Sequence, residues 1–288
     1  LGAVHDVDIR PLASHDERVA CVELQRATWG ADFTELVPPS LLYAVPKVGG
    51  VAAGAFDRGG ALLGFVFGIT GAERGRLVHW SDMVAVRADA QGRGIGRALK
   101  TYQRDTVARM GVAEIRWTYD PLVAKNAHLN FNHYGVRVLE YVQDVYGNDT
   151  RSVLHRGVGT DRFVVAWPVA SGAGTGGAAP AAAPAARPPG AAPSGLTPEL
   201  RVVPVANAET GEGAALAPER FAPSPPPLLR IEIPRDIAAV QATSLEAAAR
   251  WRESTRRAFL WALAHGYAVT GFRRDDPADR GYYLLTRA

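Results

Sequence analysis

Between Val84 and Leu99 the chain reads V-A-V-R-A-D-A-Q-G-R-G-I-G-R-A-L. An apolar, strand-like run enters a turn with glycine at 92, 94 and 96, and a helix-like segment leaves it. Successive backbone N–H groups at a helix start form a concave site for an anion. Glycine there removes the side chains that would block approach and accepts dihedrals other residues resist. The helix dipole adds a modest pull on a phosphate, and Arg93 and Arg97 bring charge. Gln91, Gly92, Arg93, Gly94, Ile95, Gly96 and Arg97 are therefore the candidate anion-binding residues. The glycine spacing is a poor match to G-x-G-x-x-G, and no Gly-Lys-Ser/Thr follows, which excludes a Walker A loop.

Outward from this turn, elements alternate. D8-I-R reads as a short strand and His15 to Trp29 as a helix. G50-V-A-A-G-A-F and A61-L-L-G-F-V-F-G-I read as two strands joined through D57-R-G-G60, a hairpin signal. R76-L-V-H-W-S-D-M-V-A-V86 is a longer strand. Ile95 to Met110 is a helix with Leu99, Tyr102, Thr106, Val107 and Met110 near one face, ended by Gly111. A strand at Glu114–Tyr119, a short helix over Val123–Tyr134 and strands at 136–145 and 162–167 follow. Strands and helices in this order predict an α/β or α+β layer fold with a mixed sheet.

The stretch from Ser171 to Ser194, rich in Ala, Pro and Gly, has almost nothing to bury and reads as a linker. Ala217 to Pro227 is a second proline-rich, extended stretch. Beyond them Leu229–Pro234 reads as a strand and Leu245–His265 as the best helix in the chain, its packing stripe marked by Ala248, Trp251, Phe259, Ala262 and Leu263. Strands at 267–272 and 282–286 complete a small β-α-β-β unit. The expected division is a domain over 1–170, a linker over 171–198 and an accessory domain over 199–288.

The chain's 288 residues suffice for one large or two ordinary cores. With 32 Lys+Arg against 29 Asp+Glu, its net charge of +3 is too mild to argue for nucleic acid. One cysteine, Cys21, excludes an intrachain disulfide framework and fits a reducing compartment. No run of 18 apolar residues appears, and the N-terminal residues lack a signal peptide's basic start and apolar core. The expectation is a soluble, cytoplasmic protein with no membrane partner.

V84–L99 resembles the acetyl-CoA motif of the GNAT superfamily of acetyltransferases, Q/R-x-x-G-x-G/A, with Gln91, Gly94 and Gly96 at the defining positions. The element order over roughly residues 6 to 170 is similar to that family as well. D120-P-L-V-A-K-N-A-H-L-N-F and W251-R-E-S-T-R-R-A-F resemble a bacterial GNAT subfamily with a C-terminal extension. The resemblance implies a GNAT-like mixed sheet flanked by helices, with acetyl-CoA as co-substrate. It implies that amides from Gln91 to Gly96 hold the pyrophosphate. It further implies that the strand Met83–Val86, with Val84 and Val86, pairs with the pantetheine arm, and that this strand splays from the one at 115–119.

Acetyl transfer to an amine needs alignment, a base, oxyanion stabilisation and a proton for the leaving thiolate. Many GNAT enzymes supply that proton from a Tyr four positions before the Gly of Y-x-x-x-G-F. Here F131-N-H-Y-G-V136 puts Phe131 there, leaving Tyr134, Tyr141 or Tyr146 as donors. Asn126 stands where the family often contacts the coenzyme arm, or else caps its short helix. The base candidates on the central strand are Asp82 and His79, three apart and on opposite faces of a regular strand unless a bulge intervenes. Glu23 and Glu35 lie in the region that shapes acceptor pockets in this superfamily. Trp29, Phe33, Trp80 and Trp117 divide between core and acceptor pocket, with Trp29, Phe33, Glu35 and Trp117 as candidate substrate contacts. His128 and His133 lack metal-site spacing, and no metal is expected.

The acceptor is expected to be a small-molecule or peptide amine. A non-catalytic acyl-CoA-binding or regulatory module is the competing reading, favoured by Phe131. The C-terminal unit has two roles open to it, a cover for the acceptor cleft or a homodimer contact.

Overall fold

The computed structural model describes residues 6–147, 158–169, 195–208 and 217–287, which divide into two compact units. The first contains residues 6–117 and 168–169; the second contains 118–147, 158–167, 195–208 and 217–287.

The first unit is a mixed sheet in the order β1 (Asp8–Pro11), β2 (Val51–Phe56), β3 (Leu62–Glu73), β4 (Arg76–Val86) and β5 (Glu114–Tyr119), the last running on past the unit's boundary. The first three pairings are antiparallel, and β4 with β5 is parallel. Between β1 and β2 come α1 (His15–Trp29) and α2 (Pro39–Ala44), and α3 (Ile95–Ala108) follows β4. Helix α1 starts where sequence alone suggests, because Ser14 and Glu17 form a reciprocal capping box. The β2–β3 turn is closed by Asp57, whose side chain accepts from the backbone N–H groups of Gly59 and Ala61, each at 2.9 Å.

The two faces of this sheet carry different helices. Phe65 and Phe67 of β3, with Met83 and Ala85 of β4, share a core with Cys21, Val22 and Leu24 of α1 and Leu42 of α2. On the other face a Cβ at Gly64 would stand 3.2 Å from Leu99 of α3. Alternation along a strand makes these opposite sides.

In the second unit, α4 (Ala124–His128) continues into a π-helical segment, Leu129–Tyr134, and β6 (Arg137–Val142) pairs antiparallel with β7 (Arg162–Pro168). α5 (Pro198–Arg201), β8 (Leu228–Pro234), α6 (Ile237–Thr243), α7 (Leu245–Ala264), β9 (Tyr267–Asp275) and β10 (Arg280–Arg287) complete it, with the three strands in the order β8-β10-β9. The α/β (α+β) expectation holds: a mixed central sheet flanked by helices, and a smaller C-terminal sheet.

The compact division falls after Trp117, and the cause is aromatic. Phe163 of β7 packs at 4.7 Å from Phe259 of α7, which lies 5.2 Å from Tyr283 of β10. Tyr141 of β6 joins them 5.5 Å from Phe163. Residues 171–194 of the expected linker lie outside the described residues. Its last part is structured: Gly195 bridges Arg274 of β9, and Leu196 N donates to the Arg274 carbonyl at 3.0 Å. The proline-rich stretch from Ala217 is partly wound, forming a 3-10 turn over Pro218–Phe221.

Candidate active site

The glycine turn is built as its sequence suggests. β4 ends at Val86, a 3-10 turn covers Ala88–Ala90, and Gly94 caps α3 in the left-handed region at φ 83°. Gly92 is left-handed too, at φ 78°, and a Cβ there would meet open space, so its backbone conformation is what requires glycine. No side chain caps this helix, and its first turn holds no acidic residue. The leading N–H groups of a helix have no partner within it, so this end faces outward as an electropositive cradle. Arg93 and Arg97 beside it are exposed, and Ile95 is buried as the anchor of the first turn. Gln91 has a different duty: its Nε2 donates to the Val86 carbonyl at 3.2 Å and fixes the strand–turn junction.

β4 and β5 pair only at Val78 with Glu114, His79 with Ile115 and Trp80 with Arg116. Beyond Trp80 the pairing stops although β4 runs on to Val86. The strands part, leaving the backbone groups of β4 on that edge without a strand partner over Ser81–Val86, where the Val86 carbonyl is taken by Gln91.

A bulge sits at the point of parting. Phe67 of β3 faces Met83 while Gly68 faces Ser81, so Asp82 is an extra residue on β4. His79 and Ser81 before it are buried on the α3 side, where a Cβ at Gly68 would approach His79 and Gln103. Met83 and Ala85 after it join the α1 core. Val86 faces α3, since a Cβ at Gly96 would stand 3.5 Å from its Cγ2, and Val84 shares that side by alternation. The bulge leaves His79 and Asp82 on opposite faces.

Those two base candidates have unlike chemistry. His79 is fully buried, its Nδ1 is 2.8 Å from the Thr70 hydroxyl, and burial with the Lys100 charge pushes its pKa down to about 4. Asp82 is exposed by area yet crowded by its strand neighbours. Desolvation holds its carboxyl above the ordinary range, Trp80's hydrogen bond opposes this, and the Glu35 charge adds to it. Asp82 is the better-placed acceptor of a proton near neutral pH.

Phe33 is buried in the α1 core, and the partly buried Trp29 stacks on it at 5.7 Å. Glu35 is exposed, and Glu23 pairs with Arg26 at 2.8 Å on the surface of α1. Trp117 is buried beneath Lys100. The remaining candidates lie in the second unit. Asn126 is half-buried inside α4 and does not cap it; the cap position is Val123. Phe131 packs edge-on against Tyr283, and Tyr134 lies 4.9 Å from Trp167. Tyr141 donates its hydroxyl to Asp161 and has its pKa raised, by burial first and then by that carboxylate. Tyr146 is exposed, its hydroxyl 2.8 Å from that of Thr118.

Sequence reasoning passed over Lys100 and Gln103, which are buried on α3 with Ile95, Leu99 and Val107. The signal for Gln103 was the spacing 95, 99, 103, 107, which places a glutamine on the apolar stripe; Lys100 carried none. Lys100 Nζ donates to Ser81 Oγ at 2.9 Å and sits 3.8 Å above the Trp117 ring. Burial pushes its pKa down to about 7.

A pH dependence follows. The unfolded chain holds the Lys100 proton up to about 10.5, whereas the folded chain releases it near 7. Folded stability therefore carries a penalty below pH 7 that is relieved as pH rises from 7 towards 10. The melting temperature of the parent, relative to Lys100→Met, is expected to climb across that interval in a calorimetric pH series.

Among the described residues no helix is long and apolar enough to cross a membrane. No family model matches the sequence, and no curated protein matches it. Among solved structures the chain is similar to the ribosomal-protein-S18-alanine N-acetyltransferase of Escherichia coli, at 20% identity and a TM-score of 0.43, over 58% of this chain and 96% of that one. It is similar to a GNAT superfamily phosphinothricin acetyltransferase of Sinorhizobium meliloti in complex with acetyl-CoA, at 18% identity and a TM-score of 0.45, over 59% of this chain and 92% of that one. With the IAA acetyltransferase of Bacillus cereus the identity is 16% and the TM-score 0.43, over 56% of this chain and 99% of that one. All three of these similar structures are acetyltransferases.

Proposed function

We propose that this chain transfers an acetyl group from acetyl-CoA to an amine of a small molecule or peptide, by direct attack in a ternary complex. One conjunction carries the reading: an uncapped helix start with left-handed glycines follows the C-terminal end of β4, and β4 parts from β5 midway along its length, after Trp80, and stays apart up to that end. The coenzyme supplies an activated thioester. The amides from Gln91 to Gly96 bind its pyrophosphate, with Arg93 and Arg97 adding charge. The freed edge of β4 over Met83–Val86 offers hydrogen bonds to the amide-bearing arm. Asp82, with its raised pKa, takes the proton from the acceptor's ammonium, and Glu35 on the same side favours a cationic acceptor.

The test is calorimetric titration with acetyl-CoA of the parent and of Gly94→Glu. The carboxylate enters the cradle, and its left-handed backbone costs about 1–2 kcal/mol of stability. The parent is expected to bind, and the folded variant to bind about 100-fold more weakly or not at all, a loss of roughly 2.7 kcal/mol. If the parent does not bind, the enzyme reading falls. The competing reading, a binding module without turnover, draws on Phe131, which has no hydroxyl and packs on Tyr283. Binding without release of thiol in an amine screen favours that second reading.

A further inference from the structure

Lys100 is only 6% exposed, and among the described residues no carboxylate pairs with it. Burying an ammonium without a counter-ion costs several kcal/mol unless something compensates. A hydroxyl and an aromatic face soften the penalty without cancelling it, as the lowered pKa records. A methionine would fill the same space at no such cost. The chain thus retains an expensive cation where packing alone would select an apolar side chain.

Its position is specific. The last bonded pair of β4 and β5 is Trp80 with Arg116, and the next residues are Ser81 and Trp117. Lys100 Nζ touches both of them, so it is wedged at the apex where the strands part. Beside it the His79 Nε2 and both polar atoms of the Gln103 amide are buried without partners. A buried cation flanked by polar groups in reserve is poised for negative charge that develops during a reaction.

We propose that Lys100 is a catalytic residue of the acyl transfer, its ammonium facing the thioester sulfur and donating the proton that the departing thiolate takes. This rests on the coenzyme reading above and supplies the acid that Phe131 cannot. When the C–S bond breaks, its electron pair goes to sulfur. The proton passes from Nζ to sulfur, giving the free thiol and a neutral amine. Solvent reprotonates the amine; of the two protons the acceptor ammonium loses, the first goes to Asp82 before attack and passes on to solvent, and the second follows by the same route as the amide forms. A lysine poised near neutrality suits both halves of that cycle.

The experiment uses CoA itself, titrated calorimetrically and then by the ultraviolet absorbance of its thiolate when bound. Parent and Lys100→Met are expected to bind CoA with similar affinity. In the parent, the thiolate fraction of bound CoA at pH 7, where Lys100 still carries much of its charge, should rise about 10-fold or more over that of free CoA, as an opposite charge within hydrogen-bonding range produces. In Lys100→Met that rise should vanish, and thioester cleavage at saturating acetyl-CoA should fall about 10²-fold or more. Lys100→Gln, which keeps a donor without the charge, repeats the measurement if the methionine variant does not fold. CoA bound by both proteins with unaltered thiol acidity overturns the role of Lys100 and leaves the coenzyme site standing. Failure of the parent to bind CoA overturns the coenzyme reading and this proposal with it.

Discussion

Asp161→Ala is expected to lose about 3–5 kcal/mol of stability, the usual cost of removing one partner from a buried ion pair. Asp161 is fully buried. It accepts from Arg256 Nε at 2.8 Å and Nη2 at 2.5 Å, from the Asp144 N–H at 3.1 Å, and from the Tyr141 hydroxyl. Alanine would leave a guanidinium and a phenol facing a void, with only Asp144, 3.0 Å from Arg256, as a remaining anion. At ~2–4 °C per kcal/mol for a protein of this size, the melting temperature should drop by roughly 10 °C. Desolvation pushes the Asp161 carboxyl up, but the hydrogen bonds from Arg256 and Tyr141 outweigh it and carry the pKa below its ordinary value. Its contribution is therefore present above the unfolded value and lost as pH falls through the folded one. Parent and variant should converge in stability in strong acid. Equal melting temperatures at neutral pH would mean that the aromatic cluster around Phe163 holds these elements without the ion pair.

The second large effect is expected in the first unit. A Cβ on Gly68 would stand 2.4 Å from His79 Nε2, 2.7 Å from Gln103 Nε2 and 2.7 Å from the Trp80 carbonyl oxygen. Side-chain ends can yield, but the carbonyl belongs to the paired strand and cannot move without breaking the ladder. Gly68→Ala should cost ~3 kcal/mol by overpacking, read as a lower urea midpoint with an unchanged slope. Gly71→Ala, three residues on in the same strand, is the control: a Cβ there meets nothing within 4 Å, and its midpoint should stay close to the parent's. A neutral Gly68→Ala would show that His79 and Gln103 can vacate the space, and hence that their burial is loosely held.

Much of the fold was legible because its signals are local. The capping box at Ser14, the Asp57–Gly60 turn and the left-handed Gly94 lie within a few residues of the elements they delimit. The glycine turn was legible for the same reason, glycine spacing being a local property of backbone. What stayed hidden depends on partners far along the chain. Arg252 looks like a solvated residue of α7, yet it is buried because its guanidinium reaches Asp120 at 2.6 Å and the Val158 carbonyl at 2.8 Å. With Thr255 it turns the buried stripe of α7 away from the expected Trp251 and Leu263, which are only partly covered. Lys100 is the same kind of case: its charge argues for solvent until Ser81 and Trp117 are known to flank it. Those three residues lie too far apart in sequence for any local pattern to join them.

The bulge on β4 has one more consequence. Removing Asp82 from the strand would leave Ser81 opposite Gly68 and Met83 opposite Phe67, with every other side chain on the face it now occupies. The residue is a spare tooth in an otherwise meshed gear, present in the centre of the sheet but carrying none of its alignment. Evolution can therefore rewrite the chemistry at this spot, exchanging an acid for another group, without renegotiating how the sheet assembles. A scaffold with such a slot beside its opening can change the group it presents there while keeping its architecture.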